Sequence, residues 1–135
     1  MASADELRTA IESSREALRQ AIKDTTGTWE QVRPGDEEWS PRQAAEHVIG
    51  SELMFASMVA KLVDSSAPDR REFELASADK ALAALSEVAE ASGGVFASVV
   101  DADLDTPAPY MDNVAGLMQL VATHIDEHTQ QIQGA

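Results

Sequence analysis

The chain of 135 residues carries 24 acidic and 10 basic side chains, which gives a formal net charge of −14 at pH 7. This length fits one domain, residues 1–135, and the acidic excess disfavours nucleic acid as a partner because it repels a phosphate backbone. The sequence has no cysteine, which excludes disulfides and a thiol nucleophile of the protein itself. Any thiol in its chemistry must arrive with a substrate.

The composition predicts an all-α fold, because alanine, leucine, glutamate and glutamine abound while aromatic residues are few. The first residues lack the basic start and apolar run of a secretory leader. No segment approaches the roughly twenty apolar residues of a membrane span. We therefore expect a cytoplasmic protein without a membrane partner.

Helix one is predicted over residues 4–25, where apolar side chains recur with the spacing of one helical face. That face comprises Leu7, Ile11, Ser14, Leu18 and Ile22, whereas Glu6, Arg8, Glu12, Arg15 and Lys23 lie largely elsewhere. The helix is expected to end at Gly27, and the turn-forming residues 32–36 then lead to Trp39.

Helix two is predicted over residues 41–63 from a clear start signal. Ser40 suits the cap, Pro41 suits the first helical position, and Gln43 completes a capping box. His47 falls about 60° to one side of the expected inward stripe, and Glu46 is expected to point away from it. The stripe comprises Ala44, Val48, Ser51, Phe55, Met58 and Leu62.

Three further apolar residues of helix two, Ile49, Leu53 and Ala56, fall on its expected solvent side. A monomer with regular phase would expose them along one ridge, and burial in a homodimer would cover that ridge. The alternatives are that the helix is rotated, or that the segment after it covers the ridge.

Residues 64–75 contain a proline, a serine pair and charges of both signs, which predicts a long crossover loop in which Asp69, Arg70 and Arg71 are solvated. Helix three follows over residues 77–100 with Ser77 as its cap. The pair Gly93 and Gly94 predicts a kink or close packing, because each interior glycine costs about 1 kcal/mol relative to alanine. Its stripe comprises Ala81, Leu85, Val88, Ser92, Val95 and Val99.

Helix four is predicted over residues 110–133. His128 belongs to its apolar stripe and His124 flanks that stripe, whereas Tyr110 is expected to be a core or pocket-wall residue near the other end. Four amphipathic segments of this length predict a four-helix bundle. The stripe comprises Val114, Leu117 or Met118, Val121, Ile125 and Ile132.

The chain has only three histidines, and their positions suit metal ligands. His124 and His128 are four residues apart, which places both rings on one helical face, and His47 can complete the set from helix two. Three imidazoles leave coordination positions open, so that water or a substrate could bind beside them. An exposed histidine pair arising by chance is the alternative.

Two segments carry a resemblance to a known family. Residues 38–48, Glu-Trp-Ser-Pro-Arg-Gln-Ala-Ala-Glu-His-Val, followed by Glu52, resemble the opening of the second helix in the DinB/YfiT-like superfamily. Residues 124–132, His-Ile-Asp-Glu-His-Thr-Gln-Gln-Ile, resemble the C-terminal metal motif of the same superfamily. The resemblance implies an up-down-down-up bundle, often dimeric, with a divalent metal held at positions that correspond here to His47, His124 and His128.

The resemblance also implies a class of reaction. Some relatives that act with mycothiol have a carboxylate where this chain has His124, so the chain resembles the bacillithiol-transferase and YfiT-like members more closely. We expect a metal-dependent S-transferase that joins a low-molecular-weight thiol to an electrophile, or a related hydrolase. A metal-binding or stress-related interaction protein without catalysis is the alternative, and a bundle with structural histidines is a third.

Histidine donors suit zinc, nickel, iron or copper, and zinc or nickel is expected here, with iron as a further candidate. Glu52, Glu127 and Gln131 are candidates to hold the far ring nitrogens of the histidines. Arg33 and Arg42 are candidates to attract an anionic thiol, although both also suit an ordinary exposed surface.

Overall fold

The computed structural model describes residues 2–32 and 38–134. Within them the chain forms α1 (Ala4–Lys23), α2 (Pro41–Leu62), α3 (Ala78–Ser98) and α4 (Val114–Ile132), with a single 3₁₀ turn at Asp101–Asp103. The described ranges contain no β-strand, and the helices pack as a bundle, which confirms the predicted all-α fold. None of these helices combines the length and the apolarity that crossing a membrane requires.

The directions of the helices follow from contacts between their ends. The start of α2 lies near the end of α1. The backbone N–H of Arg42 donates to the carbonyl of Trp29, in the turn that follows α1, at 2.8 Å. The Trp29 indole donates in turn to the carbonyl of Leu75, at 2.8 Å, just before α3. Helices α2 and α3 therefore start at the same end of the bundle and run parallel. The contact of His47, early in α2, with His124, late in α4, makes α4 antiparallel to α2. The topology is up-down-down-up, as predicted.

Side-chain caps fix where the helices begin. Ser40 accepts from the N–H of Gln43 at 3.2 Å, and the Ser40 N–H donates to the Gln43 side chain at 2.9 Å, so the predicted capping box at α2 is confirmed. Ser77 caps α3 as predicted. Asn113, which the sequence analysis did not single out, caps α4 by accepting from the N–H of Gly116 at 2.8 Å.

The helix ends differ from the predicted ones chiefly at α4, which begins at Val114 rather than at residue 110. Tyr110 adopts a left-handed φ of 68° and is 80% exposed, so its prediction as a core or pocket-wall residue is wrong. The backbone cannot continue a right-handed helix through such a residue. The apolar stripes predicted for α1, α3 and α4 are buried as expected.

Helix α2 is rotated relative to its predicted phase. At about 100° per residue, its buried positions centre roughly 90° from the predicted stripe. Ile49, Leu53 and Ala56 are 1%, 3% and 0% exposed, so the prediction of an exposed ridge is wrong. Leu53 lies beside Pro68 of the crossover and Val88 of α3, so rotation and cover by the crossover both contribute. A homodimer stays a prediction, without this ridge to support it.

The reason for the rotation is a buried ion pair between α1 and α2. The Arg15 guanidinium donates to both carboxylate oxygens of Glu52, at 3.2 Å from Nε and 2.8 Å from Nη2. Ser92 of α3 donates its hydroxyl hydrogen to the same carboxylate. Arg15 and Glu52 are 5% and 2% exposed, which corrects the prediction that Arg15 lies largely outside the buried face of α1. Glu52 can be buried only when it is paired, so the core side of α2 must include it.

The pair Gly93 and Gly94 does not interrupt α3, which is continuous from Ala78 to Ser98. A Cβ atom added at either glycine would meet nothing within 4 Å. The alternative of close packing at this pair is therefore wrong, whereas a kink stays a prediction. Tertiary packing keeps the helix continuous despite its weak local propensity.

We expect loss of either partner of the buried pair to destabilise the fold. Arg15→Ala should lower the free energy of unfolding by about 3–5 kcal/mol, because the Glu52 carboxylate is left buried without a cation. Glu52→Ala should cost less, because Arg15 keeps its pair with Glu12 at 3.0 Å. The combined change Arg15→Met and Glu52→Met should cost less than the sum of the two single changes. Urea denaturation followed by circular dichroism measures all of these free energies.

The matched control is Arg19→Ala, which removes an exposed i,i+3 pair with Glu16 on the same helix. It should cost less than about 1 kcal/mol. Equal losses at positions 15 and 19 would show that the buried pair contributes no more than a surface pair.

Candidate metal centre

The three histidines meet near the middle of the α2 and α4 interface. His47 lies two turns into α2, and His124 and His128 lie one turn apart on α4. Because α2 and α4 are antiparallel, the early part of one helix lies level with the late part of the other. His47 is exposed, His124 is half-buried and His128 is buried. The cluster is therefore enclosed on the α4 side and open on the α2 side.

The ring nitrogens of the histidines converge. Nε2 of His124 lies 3.2 Å from Nε2 of His47 and 3.2 Å from Nε2 of His128. A tetrahedral ion with metal–nitrogen bonds of about 2.0–2.1 Å sets its nitrogen ligands about 3.3–3.4 Å apart. The three donors could hold a divalent metal ion with little movement of the side chains.

His128 has a hydrogen-bond partner on the ring nitrogen that points away from the cluster. Its Nδ1 lies 2.9 Å from Oε1 of Gln131. An amide oxygen only accepts, so this contact matches the tautomer of His128 that carries its hydrogen on Nδ1 and offers the Nε2 lone pair to the cluster. Gln131 thus orients a histidine, as predicted.

The two glutamates predicted for the same role do not contact the cluster. Glu127 is exposed and Glu52 is committed to Arg15 and Ser92. The prediction for Glu52 failed because it assumed the unrotated phase of α2, which placed this residue on the flank of the helix rather than in its buried face.

Two aromatic side chains that the sequence analysis did not assign to the site surround the histidines. The Trp39 ring stacks on His128, with centroids 5.7 Å apart and planes 18° apart, and meets His47 edge-on at 5.1 Å. Phe55 meets His124 edge-on at 5.7 Å. The position of Trp39 directly before the cap of α2 was the signal available in the sequence, since a residue there packs back against the first turns of the helix.

A groove of about 620 Å³ opens beside His47. Its lining comes from α2 and from the crossover, and comprises Glu46, His47, Gly50, Ser51, Met54, Arg70, Arg71, Glu72 and Phe73. The solvated crossover predicted for residues 64–75 therefore forms one wall of a groove that reaches a histidine of the cluster. This volume lies within the range of about 300–1,000 Å³ typical of small-molecule sites.

The crossover wall is anchored next to the histidines. Glu46 accepts from the N–H of Leu75 at 2.7 Å and from Nε of Arg42 at 3.0 Å, so the prediction that Glu46 points away is wrong. Leu75 is thus held at its N–H by Glu46 and at its carbonyl by Trp29.

Of the two arginines predicted to attract an anionic thiol, only Arg42 belongs to the described residues. Arg42 pairs with Glu30 and Glu46 and is absent from the groove lining. Arg33 and the rest of the predicted loop at residues 32–36, apart from Val32, lie outside the described residues.

The cluster keeps His124 neutral. Burial, and then the positive charges that His128 and His47 would carry when protonated, lower the pKa of His124 from 6.5 to about 4. A metal ligand must be neutral, so this environment favours the form of His124 that binds a cation.

We expect His124 in the metal-free protein to titrate near pH 4, well below its ordinary value of 6.5. The unfolded chain takes up this proton below pH 6.5 and the folded chain only near pH 4. This group should therefore lower the stability of the fold progressively as the pH falls between those values, with no further loss below. NMR titration of its ring Cε1–H resonance measures the midpoint, and a midpoint near 6.5 would contradict the lowered pKa.

Comparison with known proteins places this architecture in one family. A family model described as the DinB superfamily matches residues 5–132, which is nearly the whole chain. No curated protein and no solved structure shows a significant match. The matched range includes all three histidines, Trp39 and the crossover. The chain belongs to the DinB superfamily.

Proposed function

We propose that the protein is an enzyme that binds a divalent metal ion through His47, His124 and His128 and uses this ion in catalysis. The observation that carries this proposal is the convergence of three imidazoles beside an open groove, with Nε2 of His124 3.2 Å from Nε2 of His47 and 3.2 Å from Nε2 of His128. A purely structural metal site is closed by a fourth protein ligand, whereas three ligands leave a position for a reactant.

The donor set favours zinc or nickel, and iron is a further candidate. Imidazole suits all three ions, and the order of divalent affinities ranks nickel above iron for a given nitrogen site. The chain has no cysteine, so soft thiolate ligands cannot come from this protein.

The reaction that we propose is transfer of a low-molecular-weight thiol to an electrophilic carbon. A metal ion bound to three imidazoles supplies Lewis acidity that stabilises a thiolate, or a hydroxide, at neutral pH. Gln131 holds the His128 ring in its orientation, and Trp39 and Phe55 cover the rings with apolar surface that limits water around them. With a thiol as the nucleophile the protein is an S-transferase, and with water it is a related hydrolase.

The second candidate is a non-catalytic metal-binding or stress-related interaction protein. It is favoured by one observation: within the described residues, neither His124 nor His128 contacts a carboxylate that could act as a general base. Thiol transfer does not require such a base when the thiol is already ionised, so the S-transferase is preferred over the hydrolase.

We expect His128→Ala to abolish metal binding and to leave the helical fold intact, because the core of the bundle is aliphatic and holds without the ion. Elemental analysis and calorimetric titration with zinc or nickel measure binding, and circular dichroism measures the fold. Unfolding of this variant under mild conditions would show that the histidine is a structural element.

We expect Gln131→Leu to weaken metal binding by about 10–100-fold, because the His128 ring loses the partner that orients it. The matched control is Gln130→Leu, which alters the exposed neighbouring residue on the same helix. Equal affinities of the two variants would remove the orienting role of Gln131.

The proposed activity is tested with the metal-loaded protein, a small thiol and an epoxide or an activated alkene. Metal-loaded wild type should accelerate conjugation over the uncatalysed rate, and the metal-stripped protein and His128→Ala should not. Tight metal binding without any acceleration across a panel of thiols and electrophiles would favour the non-catalytic candidate.

A further inference from the structure

The groove beside His47 is lined by charged groups of both signs, and two of them are already neutralised. The Glu46 carboxylate is bound by Arg42 and by the N–H of Leu75. The Arg71 guanidinium pairs with Glu87 and lies 4.6 Å above the Phe73 ring centroid. These groups hold the crossover in place and have limited capacity for a ligand.

Two charged groups of the lining remain. Arg70 and Glu72 are exposed, and neither forms a hydrogen bond or an ion pair within residues 2–32 and 38–134. Arg70 offers a planar set of N–H donors that matches a carboxylate, and Glu72 offers oxygens that match an ammonium group. The chain has a net charge of −14, so acidic side chains that could pair with an arginine are abundant. An arginine that nevertheless has no such partner among the described residues, at the edge of a groove, is a candidate to bind an anionic ligand.

The floor of the groove leaves room for a ligand beside these groups. A Cβ atom at Gly50 would lie 3.9 Å from Cδ2 of Phe73 and 4.0 Å from the carbonyl oxygen of Arg71. An added Cβ would thus be in ordinary van der Waals contact with the crossover, so the bare backbone at position 50 leaves room for one methyl group beneath the crossover. Ser51 is a small, half-buried neighbour on the same helix that also lines the groove.

We propose that the groove binds a small thiol with an amino-acid end, whose carboxylate meets Arg70, whose ammonium group meets Glu72, and whose sulfur points to the histidine cluster. The sulfur end of this proposal rests on the proposed function. The charged end stands on the lining of the groove alone, so the two are tested separately.

The charged end is tested with four thiols that differ in one group at a time. L-cysteine carries both charges, N-acetyl-L-cysteine only the carboxylate, L-cysteine methyl ester only the ammonium group, and N-acetylcysteamine neither. Calorimetry on the zinc-loaded protein measures the four dissociation constants. We expect L-cysteine to bind most tightly and N-acetylcysteamine most weakly, with each charge contributing up to about fivefold, which corresponds to the free energy of an exposed ion pair.

Variants assign each contribution to its residue. Arg70→Gln should remove the difference in affinity between N-acetyl-L-cysteine and N-acetylcysteamine. Glu72→Gln should remove the difference in affinity between L-cysteine methyl ester and N-acetylcysteamine. Arg19→Gln and Glu90→Gln are controls outside the groove that should change neither difference. All four variants should bind zinc as wild type does, because none of these residues belongs to the histidine cluster.

A metal-free experiment separates this proposal from the proposed function. S-methyl-L-cysteine has no free thiol, and at millimolar concentration it should shift the amide resonances of Gly50 and Phe73 in the apo protein. Ser51→Leu, which fills the groove, should abolish these shifts. Absence of the shifts in wild type, or equal binding of the four thiols to the loaded protein, would overturn the proposal even if the protein binds metal and catalyses conjugation. Shifts without any metal uptake would support the groove and contradict the proposed function.

Discussion

The buried ion pair between Arg15 and Glu52 is the constraint from which the geometry of the site follows. A carboxylate removed from water is costly unless a cation and further donors meet it, and here Arg15 and Ser92 supply both. The pair joins the middle of α1 to the middle of α2 and fixes the rotation of α2 about its axis. His47 lies on the same helix, so its direction is set by an interaction five residues away.

The rotation also explains why the histidine cluster is exposed on one side only. With Glu52 in the core, Ile49 and Leu53 turn inward and His47 turns toward the surface. Helix α4 has no such constraint and keeps His128 in its buried stripe. The result is a cluster with one buried, one half-buried and one exposed ring, which is enclosed on the α4 side and accessible on the α2 side. Access for a reactant therefore comes from the α2 side, where the groove lies.

The crossover from α2 to α3 connects two parallel helices and also forms one wall of the groove beside the histidine cluster. Parallel neighbours require a connection that returns along the bundle, and this one lies against α2 beside His47. Trp29 and Glu46 hold its end through the carbonyl and N–H of Leu75, so the wall of the groove is tied to the loop before α2 and to α2 itself. A connection that topology already requires thus brings charged side chains to the neighbourhood of the cluster.

The sequence by itself determined the helices, their caps at Ser40 and Ser77, three of the four buried stripes, and which residues could form a metal site. These features depend on local propensity and on periodicity, which are properties of neighbouring residues. The rotation of α2, the start of α4 after Tyr110, the aromatic cover from Trp39 and the groove formed by Arg70 to Phe73 were decided only by the tertiary structure. Each depends on a partner distant in sequence: Glu52 is buried because Arg15 meets it across 37 positions, and no periodicity within α2 records that contact.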